Sequence, residues 1–224
     1  MRLSGKNILR AVFVAVAAAV YCAFLILDLS GSVSAGIVVK YAGMLWCFAF
    51  SCAFTVLSRG KTALVPLALL FTLIADLFLL VIDAYYEIGV AAFIAAQSAY
   101  FAHICVVRSK FLRVSLVVRA CAVAALEIGL AIAGAFSLLN ALAAAYFTML
   151  VFNCADSAVI FRSRIGKLLT IGFALFILCD ICVGLTNILP SVATSGVIGF
   201  TTFGMWLFYY PSQIMLTLCA GEEK

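Results

Sequence analysis

The run TALVPLALLFTLIADLFLLVI, residues 62–82, decides the fold of this chain. Its only charged side chain is Asp76, which stands in an otherwise apolar segment. A bilayer core about 30 Å thick is crossed by roughly 20 apolar residues of α-helix. The run therefore predicts a transmembrane helix with a carboxyl group inside it.

Apolar runs of similar length fill nearly all of the remaining chain. Of its 224 residues, 67% are hydrophobic and only 10% are charged, whereas soluble domains are closer to half apolar. We predict an all-α, polytopic transmembrane bundle of about eight helices, one domain over 1–224, in a multi-pass protein of the cell membrane. The predicted spans lie near 8–27, 36–57, 62–82, 87–107, 114–135, 138–161, 168–188 and 194–219.

The basic residues alternate from one connection to the next. They occupy the N-terminus and the second, fourth and sixth connections: Arg2, Lys6, Arg10, Arg59, Lys61, Arg108, Lys110, Arg113, Arg162, Arg164 and Lys167. Short cytoplasmic loops are enriched in Lys and Arg, so this pattern predicts that both termini are cytoplasmic. We therefore attribute the net charge of +5 to loops that set the orientation of the chain in the membrane, and we expect no nucleic-acid partner.

Ionisable groups inside a span cost about 2.5 to 3.5 kcal/mol and usually carry function. Asp76 lies 15 residues after Lys61, and Asp180 lies 13 residues after Lys167. At 1.5 Å per residue, both carboxyl groups are roughly 20 Å from the cytoplasmic edge. We predict that they line one cavity in the outer half of the membrane and that they carry the function of the bundle.

Other polar side chains are predicted to surround this cavity and to bind substrate. Helical spacing places Asn187 on the stripe of Asp180, and it pairs positions 97 and 100 on the fourth helix and 210 and 213 on the eighth. The predicted binding residues are Lys40, Gln97, Tyr100, Asn187, Tyr210 and Gln213. Glu127 and Asp156 are weaker candidates, and we expect Asp156 to form a surface ion pair with Arg162 or Arg164.

Several kinds of chemistry are excluded by what the sequence lacks. The chain has one histidine, so a zinc site of three histidines and a Ser-His-Asp arrangement at the outer aspartates are ruled out. It has no glycine-rich phosphate loop. We expect neither a metal nor an organic cofactor, which leaves carboxylate acid–base chemistry or ion-coupled transport.

Several motifs together resemble the YhhN, or lysoplasmalogenase-like, family of eight-helix membrane proteins. They are Ala75-Asp76-Leu77-Phe78-Leu79-Leu80, Gly89 with Phe93 and Tyr100, Phe176-Ile177-Leu178-Cys179-Asp180, Tyr209-Tyr210 with Gln213, Lys40 on the second helix, and Tyr146 with Met149 on the sixth. Where the family usually has histidine, between its phenylalanine and tyrosine, this chain has Gln97. An amide cannot replace imidazole in proton transfer.

The resemblance implies hydrolysis of the vinyl ether bond of lysoplasmalogens, with Asp76 and Asp180 as the catalytic pair. The expected partners are then an alkenyl lysophospholipid substrate and the surrounding membrane lipids. Two other functions fit the same residues. The aspartates could bind a proton or cation in a small transporter, or the chain could bind lipid without catalysis. Which aspartate is the acid, the exact lipid and the oligomeric state stay open at this point.

The alternating basic loops generate a test of topology. After Lys224, a fused reporter that works only in the cytoplasm should be active, and one that works only outside the cell should be inactive. The reason is that an even number of spans returns the chain to the side on which it started. Reporter activity confined to the outer side would contradict the eight-span arrangement.

Overall fold

The computed structural model describes residues 5–59, 63–110, 113–188 and 195–221. The described residues form helices joined by short turns and contain no strand, which confirms the all-α prediction. The helices are α1 (Gly5–Leu29), α2 (Val33–Ser58), α3 (Leu64–Asp76), α4 (Tyr86–Val107), α5 (Arg113–Ile132), α6 (Leu138–Ala158), α7 (Arg164–Ile188) and α8 (Ser195–Thr217), and a π-helical segment, Leu77–Ile82, continues α3. Most helix ends lie within a few residues of the predicted spans.

Seven of the described helices, α1 to α7, are long and apolar enough to cross a membrane when α3 is taken together with its π-helical segment. The chain is therefore a multi-pass membrane protein. The predicted eighth span is present as the helix α8, and its crossing of the membrane stays a prediction, as does the orientation of the bundle. Lys61, Pro190 and the outermost residues of both termini lie outside the described residues.

The helices do not pack simply in chain order. α1, α2, α3 and α4 pack in succession, but α4 then packs against α6, and the backbone of α5 comes close to that of α6 alone among the described elements. α8 packs against α7 and also contacts α1, α2 and α3. Because α3 and α7 carry the two membrane-embedded aspartates, α8 is the element that connects their surroundings.

A close approach between α2 and α8 holds α8 in this position. Tyr210 is fully buried, and its ring packs edge-on against Phe24 of α1 with ring centroids 5.5 Å apart. On its other side the ring lies against Gly43, where an added Cβ would be 2.7 Å from a ring carbon. The absence of a side chain at position 43 therefore permits the two helices to pack at this distance.

The π-helical segment begins directly after Asp76 and leads into the short connection to α4. It ends at Asp83, which has a φ of 52°, and Tyr85 has a φ of 56°, so two non-glycine residues adopt the left-handed conformation in this connection. Leu79 of the segment packs on Gly89 of α4, where a Cβ would lie 2.6 Å from the leucine Cγ. Asp76 is thus fixed at a point where α3 changes its helical winding, a feature often found at functional sites.

The contact between Gly43 and Tyr210 can be tested by stability measurements. Gly43→Ala should lower the free energy of unfolding by about 1–3 kcal/mol, because the added methyl group overpacks a fully buried ring. The control is Gly129→Ala in α5, where nothing lies within 4 Å of the added Cβ, and alanine there should be neutral or slightly stabilising. Thermal unfolding in detergent measures both, and equal melting temperatures for the two variants would contradict the packing described.

Candidate functional site

Asp76 is buried at the end of α3 and is held by a tyrosine from α8. Its side chain is 5% exposed, and the Tyr209 hydroxyl donates to Oδ1 at 2.7 Å and to Oδ2 at 2.8 Å. Tyr209 is itself buried. A buried polar group is costly unless it is hydrogen-bonded, so this contact stabilises the carboxyl group within the bundle.

Asp180 has an equivalent partner on a different helix. The hydroxyl of Tyr146, a buried residue of α6, donates to Asp180 Oδ2 at 2.7 Å. Asp180 is half-buried in the middle of α7. Each of the two aspartates predicted from the sequence therefore accepts a hydrogen bond from a tyrosine hydroxyl.

The two tyrosine–aspartate pairs meet at a group of four rings, the aromatic cluster of Phe93, Tyr146, Phe176 and Tyr209. Phe176 packs edge-on against Tyr209 at 5.3 Å and against Tyr146 at 6.2 Å between ring centroids. Phe93 of α4 stacks on Tyr146 at 5.2 Å. The structure thus gathers both pairs around Phe176, and the shared cavity stays a prediction.

Lys40 forms an ion pair that the sequence analysis missed. Its ammonium lies 2.8 Å from both carboxylate oxygens of Asp28, and it sits 5.2 Å from the centre of the Trp206 ring. Trp206 in turn packs edge-on on Tyr209 at 5.0 Å. The pair was recognisable in principle, because opposite charges 12 residues apart flank the tight connection between α1 and α2.

Three predicted binding residues, Gln97, Tyr100 and Gln213, are fully buried inside the bundle. Asn153 of α6 donates to Gln97 Oε1 at 2.8 Å. Gln97 Nε2, the Tyr100 hydroxyl and Gln213 Oε1 have no hydrogen-bond partner among the described residues. Buried polar groups normally acquire a partner, so these three atoms are exceptions within the described part of the bundle.

The remaining two predicted binding residues differ in their surroundings. Tyr210 is fully buried between α1 and α2, so packing accounts for its position. Asn187 is exposed near the end of α7, two helical turns beyond Asp180. The structure brings neither of them into contact with the tyrosine–aspartate pairs.

A second polar cluster, which the sequence analysis also missed, is centred on Arg119. Arg119 is 3% exposed and is the one buried residue of α5, 113–132. Its guanidinium donates to Asp156 Oδ2 at 2.7 Å and to Asn153 Oδ1 at 2.9 Å, and it lies 4.3 Å above the centre of the Phe101 ring. A single arginine inside an apolar run was the available signal.

The expected surface ion pair of Asp156 with Arg162 or Arg164 is replaced by this cluster. The side chain of Asp156 is 15% exposed, and it accepts a further hydrogen bond from Ser115 at 2.6 Å. The prediction was wrong because it considered neighbours along the sequence, whereas the packing of α5 on α6 brings Arg119 to the carboxylate from the interior side.

The model of the YhhN family matches residues 35–220 of the chain, which include α3 to α8 whole and both tyrosine–aspartate pairs. No curated protein and no solved structure matches the chain.

The Arg119 cluster predicts a marked loss of stability when it is broken. Arg119→Leu should lower the free energy of unfolding by roughly 3 kcal/mol, because it leaves the Asp156 carboxylate with a weaker set of partners in a low-dielectric site. The double variant Arg119→Leu/Asp156→Leu should recover part of this loss, since the buried charge is removed as well.

Arg113→Leu is the matched control for these variants, because Arg113 is an exposed arginine of the same helix. Unfolding monitored by tryptophan fluorescence in detergent compares the three proteins with the parent. If Arg119→Leu unfolded at the parent temperature, Arg119 would not be the residue that holds α5 on the bundle.

Proposed function

The chain belongs to the YhhN family, and from this premise we propose that it is a lysoplasmalogenase-like hydrolase of the cell membrane. The proposed substrate is a lysophospholipid with an alkenyl chain, and the products are a fatty aldehyde and a glycerophospho head group. The observation that carries the proposal is the pair of membrane-embedded aspartates, each held by a tyrosine hydroxyl, around one aromatic cluster.

Two carboxyl groups are what this chemistry requires. A carboxylic acid first transfers its proton to the outer alkene carbon of the vinyl ether, which leaves an oxocarbenium ion at the carbon bonded to oxygen. A water molecule adds to that carbon and gives its proton to the second carboxylate. The resulting hemiacetal then breaks its bond to the glycerol oxygen. The departing glycerol oxygen takes the proton from the second carboxyl group. The hemiacetal hydroxyl gives its proton to the first carboxylate and becomes the carbonyl of the aldehyde.

The hydrogen bonds support a division of roles between the two aspartates. Tyr209 contacts both oxygens of Asp76, whereas Tyr146 contacts only Oδ2 of Asp180. Among the described residues, Oδ1 of Asp180 accepts no hydrogen bond, so it is the oxygen best placed to carry a transferable proton. In the proposed mechanism Asp180 is the acid, and Asp76 stabilises the cation and activates the water. The tyrosines orient the carboxyl groups without taking part in the proton transfers.

The surroundings fit a lipid with one long chain. The aromatic cluster offers apolar surface to the alkenyl carbons next to the reacting bond. Gln97 lies one helical turn from Phe93, and its unpartnered Nε2 is a donor for an ether or hydroxyl oxygen of the substrate. In the proposal this glutamine binds substrate and transfers no proton. Lys40 is assigned to the phosphate of the head group. Its ammonium would then be shared between that phosphate and the Asp28 carboxylate.

Amide substitutions test the two carboxyl groups. Asp76→Asn and Asp180→Asn should each abolish aldehyde release from 1-alkenyl lysophospholipid, because the amide keeps the shape but supplies no proton and no negative charge. Tyr146→Phe and Tyr209→Phe should each lower turnover by about tenfold, since they remove only the orienting hydrogen bond. Mass spectrometry of the aldehyde formed by purified protein provides the measurement.

Glu127→Gln is the matched control for the same assay, because it makes the same chemical change at a half-buried carboxyl group on α5. It should leave turnover close to that of the parent. The proposal fails if both asparagine variants keep the parental rate. It also fails if the parent releases no aldehyde but moves protons or cations across vesicle membranes, in which case the aspartates serve a transporter.

A further inference from the structure

A cavity of about 390 Å³ opens at the opposite ends of the helices from the two aspartates. It lies between the segment after α4 and the segment that joins α6 to α7, and its polar lining consists of Arg108, Lys110, Arg162 and Ser163. We propose that this cavity binds the phosphate group of an anionic phospholipid from the leaflet that it faces. The basic connections predict that this leaflet is the cytoplasmic one.

The charge of the cavity favours an anion. Three basic side chains line it and no acidic side chain does. Only Arg108 is in an ion pair, with its Nη1 3.6 Å from Asp156 Oδ1, and that carboxylate is engaged more closely by Arg119 at 2.7 Å. Neither Lys110 nor Arg162 forms an ion pair within the described part of the chain, and both are exposed. Their charges are therefore available to a phosphate.

The backbone adds to the attraction and fixes one wall of the cavity. Ser163 precedes α7, and its hydroxyl accepts a hydrogen bond from the Gly166 backbone N–H at 2.9 Å. The cavity thus adjoins the N-terminal end of a long helix, where the peptide dipoles favour negative charge. A Cβ at Gly166 would overlap the Ile160 carbonyl oxygen, so the turn that carries Arg162 is packed tightly on the first turn of α7.

The rest of the lining indicates a lipid rather than free phosphate. Val107, Val159 and Ile160 complete the cavity, and Val159 is 70% exposed. A lining that is partly basic and partly apolar, at the ends of membrane-spanning helices, suits a phospholipid. The glycerol and first acyl carbons of such a lipid lie beside its phosphate. Basic pockets between transmembrane helices bind anionic head groups in this manner.

This site is separate from the proposed active site. Asp180 lies 16 residues beyond Arg164 on α7, or about 24 Å along the helix axis. The binding measurement therefore needs no catalytic activity, and its outcome is independent of whether the chain hydrolyses vinyl ethers.

Native mass spectrometry of the purified full-length chain in detergent tests the assignment. The parent should retain phosphatidylglycerol in preference to phosphatidylcholine at equal concentrations. Lys110→Gln/Arg162→Gln should weaken phosphatidylglycerol retention by about thirtyfold, because two charges near the membrane surface are removed. Arg162→Glu, which reverses one charge, should weaken it as well. Both residues are exposed, so thermal unfolding should be unchanged.

Lys6→Gln/Arg59→Gln is the matched control, since it removes two exposed basic residues that do not line this cavity. It should leave phosphatidylglycerol retention unchanged. Equal losses in the two double variants, or equal retention of the two lipids by the parent, would overturn the proposal. Displacement of bound phosphatidylglycerol by inorganic phosphate at comparable concentration would overturn the assignment to a lipid and identify a site for free phosphate.

Discussion

The hydrogen bond between a tyrosine hydroxyl and a carboxyl group is the interaction on which this structure depends. A carboxyl group inside a membrane-spanning helix is costly unless another helix supplies a partner. Tyr209 meets this need for Asp76, and Tyr146 meets it for Asp180. Each contact joins two helices, α8 to α3 and α6 to α7, and Phe176 packs between the two tyrosines. The same interactions therefore set the packing of the bundle and gather its candidate reactive groups.

Two further embedded charges, those of Lys40 and Arg119, follow the same rule with different partners. Lys40 is paired with Asp28, and Arg119 with Asp156. The second pair begins a hydrogen-bonded series that continues from Arg119 to Asn153 and from Asn153 to Gln97. This series connects α5, α6 and α4. It also explains how α5, whose backbone comes close to that of α6 alone among the described elements, is attached to the bundle by one buried side chain.

The features read correctly from the sequence depend on short stretches of chain. The helices and their approximate ends follow from apolar runs. Asp76 and Asp180 became candidate site residues because a charge inside such a run is rare, and their role stays a prediction. What could not be read depends on which helices become neighbours. Tyr209 lies 133 residues from Asp76 in the sequence, and no local sequence pattern predicts that contact. Asp156 was given the wrong partners because Arg119 reaches it across a helix interface. The π-helical turn after Asp76 likewise involves a contact between helices, that of Leu79 with Gly89 of α4.

The central claim is that a carboxylic acid of this chain protonates carbon in a vinyl ether. The most direct measurement is hydrolysis of 1-alkenyl lysophospholipid by the purified protein in deuterium oxide, with immediate trapping of the aldehyde and mass spectrometry of the product. Protonation at carbon places a single deuterium on the carbon next to the aldehyde group. The account predicts that label in the product of the parent protein and no product from Asp180→Asn. Aldehyde without deuterium at that carbon, or labelled aldehyde formed equally by Asp180→Asn, would contradict it.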